Sequence, residues 1–287
     1  MSVADNREIL TFDTSGLNAL AKEPDSAGMA ELLEAEYFVR LTEANLAELV
    51  ATKDSVFRAT LVETCQRLLN SGDCIGPHHW IIEQQVKTHA QGPASFNWPE
   101  APVCIKGLEE EIRKPRFLND DEVAAESREE SSGADKQFKH LFRDAREKFP
   151  IPPEERIQIT LQDVVELSLV DKSHWAMASD IYERFSGVRL SEPEIREFVG
   201  LCPPFNALML STCVAHFHGS VRDHRLKATY DAGLTDLMSS ACLPYCHCFV
   251  TGDAGQFNAL TEITKLAPLN TKVMYYADFR QSLLLAV

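Results

Sequence analysis

Four acidic residues drawn from both ends of the chain, Asp13, Glu48, Asp236 and Asp253, are the strongest candidates for chemistry. Asp13 and Asp253 each end an apolar segment, EILTFD and CHCFVTGD, that predicts a buried strand. Ligands of open α/β sheets bind outside the carboxyl ends of the strands, so both side chains are expected at one edge. Four carboxylates gathered there would repel each other unless a divalent cation lay among them. Mg²⁺ or Mn²⁺ prefers such oxygen ligands and can activate a bound water against a phosphodiester.

Each of these acids also has an ordinary structural explanation as a helix cap, a turn residue or a solvated side chain. Glu43 is an alternative to Glu48, and Asp231 is an alternative to Asp236. Any one of the four is a weak signal. The hypothesis of a catalytic metal site therefore depends on whether the fold brings them together.

The segments around these acids predict alternating strands and helices. Near the N-terminal end, the strand before Asp13 leads into the helix TSGLNALAK, and residues 37–41 predict a second strand. Near the other end, a strand at 246–253, the helix AGQFNALTEITKLA and a last strand at 271–277 follow one another. Parallel strands joined by helices have those helices on both faces of the sheet. The sequence predicts an α/β fold, a three-layer αβα sandwich with a central, mostly parallel sheet.

The middle of the chain lacks this alternation. Residues 91–118 contain four prolines, and residues 119–133 are strongly acidic. Further helices are predicted between residues 135 and 200, so we expect a large helical insertion in the α/β core. The predicted parts are a first core part at 1–72, a helical insertion or subdomain at 73–204, and a second core part at 205–287.

The overall charge restricts how the chain could contact nucleic acid. It has 28 Lys and Arg against 43 Asp and Glu among 287 residues, which gives a formal net charge of −15. A chain of this charge does not coat nucleic acid by bulk attraction. The basic segment before Asp236, with Arg222, Arg225 and Lys227, is the best candidate for contacts to phosphates. A solvated loop explains the same segment equally well.

The hydropathy pattern predicts a cytoplasmic protein without a membrane span. No apolar run approaches the ~20 residues needed to cross a bilayer. The first residues, MSVADNREIL, show no secretory signal.

Cys246, His247 and Cys248 form a second cluster of possible metal ligands. Alternation along a strand predicts both cysteines on one face and His247 on the other, so no closed site is expected.

Three segments in order, FDTSGLNAL, LTEANLAELVAT and LTDLMSSA…CFVTGD, resemble a PIN domain. The most telling part is the T-G-D at a strand end, with its Asp seventeen residues after Asp236. PIN domains are αβα sandwiches around a parallel sheet, and many are ribonucleases that depend on Mg²⁺ or Mn²⁺. The resemblance implies that the four acids named above hold the metal, with Ser15 and Thr251 as supporting polar groups.

The activity expected from this resemblance is that of a metal-dependent endoribonuclease, with RNA as its partner. The alternative is a catalytically inactive PIN-like scaffold that binds a protein partner through the acidic helical middle. A toxin that inhibits its host is a third hypothesis. A phosphatase of the haloacid-dehalogenase type is disfavoured because its chemistry needs an acid two residues after Asp13, where this chain has Ser15. The sequence makes no prediction of the oligomeric state.

Overall fold

A computed structural model describes residues 7–100, 150–222 and 233–285, together with single positions between 125 and 148. Within these ranges, short apolar segments form one sheet. Its strands are β1 (Glu8–Phe12), β2 (Tyr37–Thr42), β3 (Asp73–Ile75), β4 (Cys248–Thr251) and β5 (Lys272–Tyr275). They pair in the order β3-β2-β1-β4-β5, and every pair is parallel. The predicted α/β fold with a central parallel sheet is confirmed.

Helices fill most of the remaining described chain. In order they are α1 (Thr14–Ala21), α2 (Ser26–Glu36), α3 (Glu43–Val50), α4 (Ser55–Asn70), α5 (His78–Gln91), α6 (Pro153–Arg156), α7 (Leu161–Val170), α8 (Lys172–Ser186), α9 (Glu192–Leu201), α10 (Pro203–His216), α11 (Leu234–Met238), α12 (Ala254–Leu266) and α13 (Tyr276–Leu285). A five-residue π-helical turn continues α10, and a 3₁₀ segment links α11 to β4. The sequence also predicts a helix at 135–149, and the nine positions of this range that the structure describes are all helical.

Alternation along the strands places helices on both faces of the sheet. Leu10 and Phe12 of β1 pack in one cluster with residues of α1 to α4 and α13. Ile9 and Phe249 face the opposite side, where they pack against α10 and α12. Because successive strand residues point to opposite faces, both clusters are built from the same strands. The result is the three-layer αβα sandwich expected from the sequence.

A third cluster of buried side chains lies among the helices α5, α8, α9 and α10. At its centre the Nδ1 atom of His89 lies 2.8 Å from the hydroxyl of Tyr182, and Phe198 packs against both rings. This helical core lies largely within the range assigned from sequence to an insertion, residues 73–204. The short strand β3 also lies in that range, although it pairs with β2 in the sheet.

The strand order creates a crevice at one edge of the sheet. The chain runs from β1 outward through β2 to β3, and then returns to place β4 on the other side of β1. The connections after β1 and β4 therefore leave in opposite directions, which opens a crevice at the carboxyl ends of these strands. Asp13 and Gly252 follow these two strands directly.

The expectation that Cys246 and Cys248 share a face is wrong. Cys248 packs in the cluster of α1 to α4, whereas Cys246 packs in the cluster of α10 and α12. The reason is that β4 begins only at Cys248, so the two preceding residues do not follow strand alternation.

In the described ranges, no single helix is both long and apolar enough to cross a membrane. The segments Glu192–Leu201 and Pro203–Val221 reach that threshold only as a pair, bent by 109°.

Candidate functional site

Asp13 lies at the crevice between β1 and β4 and connects three elements. Its Oδ1 atom accepts a hydrogen bond of 2.6 Å from the backbone N–H of Gly16, which caps α1. Its Oδ2 atom accepts from the hydroxyls of Ser15, at 2.6 Å, and Thr251, at 2.8 Å. Burial raises the pKa of this carboxyl above its ordinary value, and the three hydrogen bonds act in the opposite direction. Asp13 is therefore both a helix cap and a buried carboxyl group of the crevice.

The two hydroxyls that bind Asp13 also hold the loop after β4. Ser15 Oγ accepts from the backbone N–H of Gly252 at 2.7 Å, and Thr251 Oγ1 accepts from that of Asp253 at 2.9 Å. Each hydroxyl thus donates one hydrogen bond to Asp13 and accepts one from a backbone N–H of the loop. A Cβ atom at Gly252 would lie 3.0 Å from the carbonyl oxygen of Ser15, a tight contact, so this close approach favours glycine. Ser15 and Thr251, predicted as supporting groups, contact Asp13 directly.

Glu48 reaches the same crevice from α3. The turn between β2 and α3 is held by Asn45, whose Oδ1 accepts from the backbone N–H of Thr42 at 2.8 Å and from its hydroxyl at 2.9 Å. One turn further along the helix, Glu48 is hydrogen-bonded by the side chain of Thr14. Burial is the main cause that raises the pKa of Glu48, the charge of Asp13 adds to it, and Thr14 opposes it.

Asp236 approaches from the opposite side, in the first turn of α11. Its Oδ2 atom accepts from the backbone N–H of Gly233 at 2.7 Å, which helps to begin this short helix. The pKa of Asp236 is raised from 3.8 to about 7, mainly by burial and also by the charges of Asp253, Glu48 and Asp13. The hydrogen bond from Gly233 acts against this shift. Asp236 therefore senses the other three acids electrostatically.

These side chains line one narrow cleft with a cavity volume of about 20 Å³. Asp13, Glu48 and Asp236 contribute carboxylates to its wall. Asp253 does not line the described cleft; it is exposed, and it caps α12 by accepting from the backbone N–H of Gln256 at 2.8 Å. Three of the four predicted acids thus share a cleft, and the fourth lies close enough to raise the pKa of Asp236.

Of the two competing acids, Glu43 and Asp231, only Glu43 belongs to the described residues. Glu43 is the first residue of α3 and does not line the cleft, so Glu48 is the acid that α3 contributes. Asp231 lies outside the described residues, as do Arg225 and Lys227. Arg222 follows the π-helical turn after α10, where its Nη1 atom lies 3.4 Å from Nδ1 of His218. Of the three residues predicted to contact phosphates, only Arg222 is described, and it does not line the cleft.

Gln256 is a cleft residue that the sequence analysis missed. It lines the cleft, is 2% exposed, and its side-chain oxygen has no hydrogen-bond partner among the described residues. A buried, unpaired polar group costs about 1–3 kcal/mol, so such groups need an explanation. Its position three residues after Asp253, in the first turn of a helix that follows a strand, was the only sequence signal available.

The oxygen atoms that line the cleft are of the type that a hard divalent cation prefers, but their positions do not form a complete binding site. Carboxylate and amide oxygens are the ligands that Mg²⁺ prefers, and they line this cleft without a described cationic partner. Among the described residues, however, no three Asp, Glu, His or Cys side chains are placed to hold one ion directly. Mg²⁺ commonly keeps several waters and binds proteins through one or two carboxylates. The donor types therefore suit a hard divalent ion, whereas the described side-chain positions do not complete a protein coordination shell.

Comparison with known proteins adds no relative. The chain matches no protein-family model, and searches of the curated proteins and of the solved structures also find no match. The resemblance to PIN domains therefore stays a prediction from the segments quoted above.

Proposed function

We propose that the cleft binds a hydrated divalent cation, Mg²⁺ or Mn²⁺, and that the protein is an endonuclease that hydrolyses RNA phosphodiester bonds. The observation that carries this proposal is the convergence of Asp13, Glu48 and Asp236 on one cleft at the carboxyl edge of the sheet. Asp236 is more than 180 positions from Asp13 and Glu48 along the chain, and each of the three has a raised pKa. Raised carboxyl pKa values in a cleft are typical of functional sites.

Each acid has a distinct part in the proposed site. Asp13 is fixed by three hydrogen bonds and would hold the ion in a constant position relative to the sheet edge. Glu48 would bind the ion directly or through one of its waters. The ion would supply a nucleophilic water and offset charge on the phosphate. Asp236, with a pKa of about 7 in the metal-free protein, would hold or release a proton near neutral pH.

The choice of RNA as substrate rests on the resemblance to PIN domains. The net charge of −15 means that contacts to a polyanion must be local. Arg222 and the neighbouring basic residues Arg225 and Lys227 are the proposed phosphate contacts. A small number of such contacts gives a shallow dependence of affinity on salt, since the slope scales with the number of phosphates neutralised.

A double variant, Asp13→Asn with Asp236→Asn, tests the proposal. Asparagine keeps one acceptor oxygen at each position, so the caps of α1 and α11 are retained, but it removes two charges from the cleft and replaces the Asp13 Oδ2 acceptor with an amide NH₂. We expect Mn²⁺-dependent cleavage of single-stranded RNA to fall about 10²-fold or more. The matched control is Asp54→Asn, which makes the same change at the cap of α4, outside the cleft, and should leave cleavage unchanged. Equal cleavage by the double variant and the wild type would contradict the catalytic assignment.

A non-catalytic scaffold is the second candidate function, and one observation favours it. Asp13, Asp236 and Asp253 each accept a backbone N–H at the start of a helix, so each has a structural role without any metal. The acidic segment proposed to bind a protein partner, residues 119–133, lies almost wholly outside the described ranges. Calorimetric titration of the wild type with Mn²⁺ separates the two candidates: absence of binding favours the scaffold.

A further inference from the structure

Two buried glutamines of this fold differ in how their side chains are paired. Gln85 of α5 donates through Nε2 to the hydroxyl of Tyr245 at 2.6 Å, and its Oε1 accepts from the thiol of Cys202 at 3.7 Å. Gln256 of α12 is equally enclosed, but its Oε1 atom has no partner in the described part of the chain. Gln85 bridges helices, whereas Gln256 lines the acidic cleft. The residue with the unpaired oxygen therefore lines the cleft in which an ion and its waters are proposed to bind.

We propose that Gln256 is a positioning residue for the cation, and that its side-chain oxygen accepts a hydrogen bond from a water molecule bound to the ion. This inference rests on the proposed function. An amide oxygen suits the position because it is a strong acceptor without charge. It adds an acceptor to the cleft without adding to the repulsion between Asp13, Glu48 and Asp236, which is already visible in the pKa of Asp236. Residues that orient the waters and ligands of a metal commonly change its affinity 10–100-fold when they are replaced.

The test uses the full chain and compares Gln256→Met with the wild type. Methionine has a similar length and no acceptor of comparable strength, so it removes the unpaired oxygen while filling the same space. We expect the dissociation constant for Mn²⁺, measured by electron paramagnetic resonance at pH 8, to rise about 10-fold or more. The melting temperature measured in EDTA should stay the same or rise, because a buried unsatisfied group has been removed. Opposite effects on metal affinity and metal-free stability are the signature of a positioning role.

Thr261→Val is the matched control. Thr261 lies on the same helix, and its hydroxyl is also buried without a partner among the described residues, but it does not line the cleft. This variant should change the metal-free melting temperature in the same direction as Gln256→Met and leave the Mn²⁺ dissociation constant unchanged.

Gln256→Glu gives a second measurement, which serves if the methionine variant does not fold. A carboxylate here should bind Mn²⁺ several-fold more tightly and lower the melting temperature in EDTA at pH 8, since it adds a fourth charge to the cleft wall.

The outcomes separate this inference from the proposed function. If the wild type binds Mn²⁺ and neither Gln256 variant changes the dissociation constant, the positioning role is wrong and the proposed function stands. If the wild type binds no Mn²⁺, the proposed function fails and this inference fails with it.

Discussion

Two acidic sites lie at the sheet: Asp73 in β3, and the three acids of the cleft. They differ in the hydrogen-bond donors that surround their carboxylates. Asp73 at the start of β3 faces Arg40 of β2, with two N–O contacts of 2.7 Å, and Arg40 also donates to the carbonyl of Tyr245 at 3.1 Å. In the cleft, Asp13, Glu48 and Asp236 receive only neutral donors from the described residues. Asp73 is thus paired with a cationic side chain, whereas the cleft acids have no cationic partner among the described residues. The comparison indicates that Arg40 and Asp73 form a structural ion pair, whereas the cleft acids are held by neutral donors alone among the described residues.

The largest expected effect tests whether the cleft acids are uncompensated. Asp236 has a pKa of about 7 in the folded protein against 3.8 ordinarily. When folding raises the pKa of a carboxyl group, the protein is less stable at high pH, because ionising that group costs more free energy in the folded protein than in the unfolded chain. The stability associated with the neutral group is fully present below about pH 4 and is lost as the pH rises through about 7.

We therefore expect Asp236→Asn to stabilise the metal-free protein increasingly from pH 5 to pH 8. Its advantage over the wild type should grow by up to about 3 kcal/mol, at about 1.4 kcal/mol per pKa unit. Urea unfolding in EDTA at a series of pH values measures this difference. A constant difference between the two proteins across this range would show that Asp236 titrates normally, and the contrast with Asp73 would be lost.

The opposite experiment removes the cation that the chain itself provides. Arg40→Met leaves Asp73 without its partner in a site where the side chains of Arg40 and Asp73 are only 14% and 17% exposed. We expect a loss of about 2 kcal/mol in the free energy of unfolding at pH 7, because a poorly solvated charge is left unpaired. The double variant Arg40→Met with Asp73→Leu should recover most of the loss. A double variant as unstable as Arg40→Met would mean that packing of Arg40, and not its charge, is what matters.

The smallest expected effect on stability comes from removing one of the neutral hydrogen-bond donors of the cleft. Ser15→Ala removes one hydrogen bond to Asp13 and one from Gly252. We expect it to cost about 1 kcal/mol of stability in denaturant unfolding and to raise the pKa of Asp13 further. Ser173→Ala breaks the equivalent hydroxyl–carboxylate bond to Asp171 at an exposed cap, so its cost should be smaller. Equal costs would show that the cleft network is no more than an ordinary helix cap.

Much of the sheet was predictable from sequence because its strands and helices are local patterns. EILTF has an apolar run followed by a capping Asp, and the order of strand and helix near both ends fixes parallel pairing. The three-residue strand β3 was missed, since Asp73–Ile75 is too short for any alternation to show. The preceding residue must be glycine, because a Cβ atom at Gly72 would collide with the carbonyl oxygen of Val39 in β2, but this contact is apparent only in the structure.

The candidate site was predictable to a similar degree, for a different reason. Asp13 and Asp236 follow from strand ends and helix starts, and these are positions that a parallel sheet brings together. The exposure of Asp253 was not predictable, because a cap and a ligand look the same in sequence. Gln256 was invisible for another reason: whether a glutamine on an amphipathic helix is paired depends on what packs against it.

The strand order has a consequence for how the protein is made. Leu10 of β1 pairs with Cys248 of β4, so one side of a central strand has no partner until almost the whole chain has left the ribosome. At about 5–20 residues per second, the nascent protein exposes that edge for about 10–50 s. An open, apolar strand edge is a template for pairing with other chains. The acidic cleft is also completed late, because Asp236 and Gln256 are made more than 180 residues after Glu48.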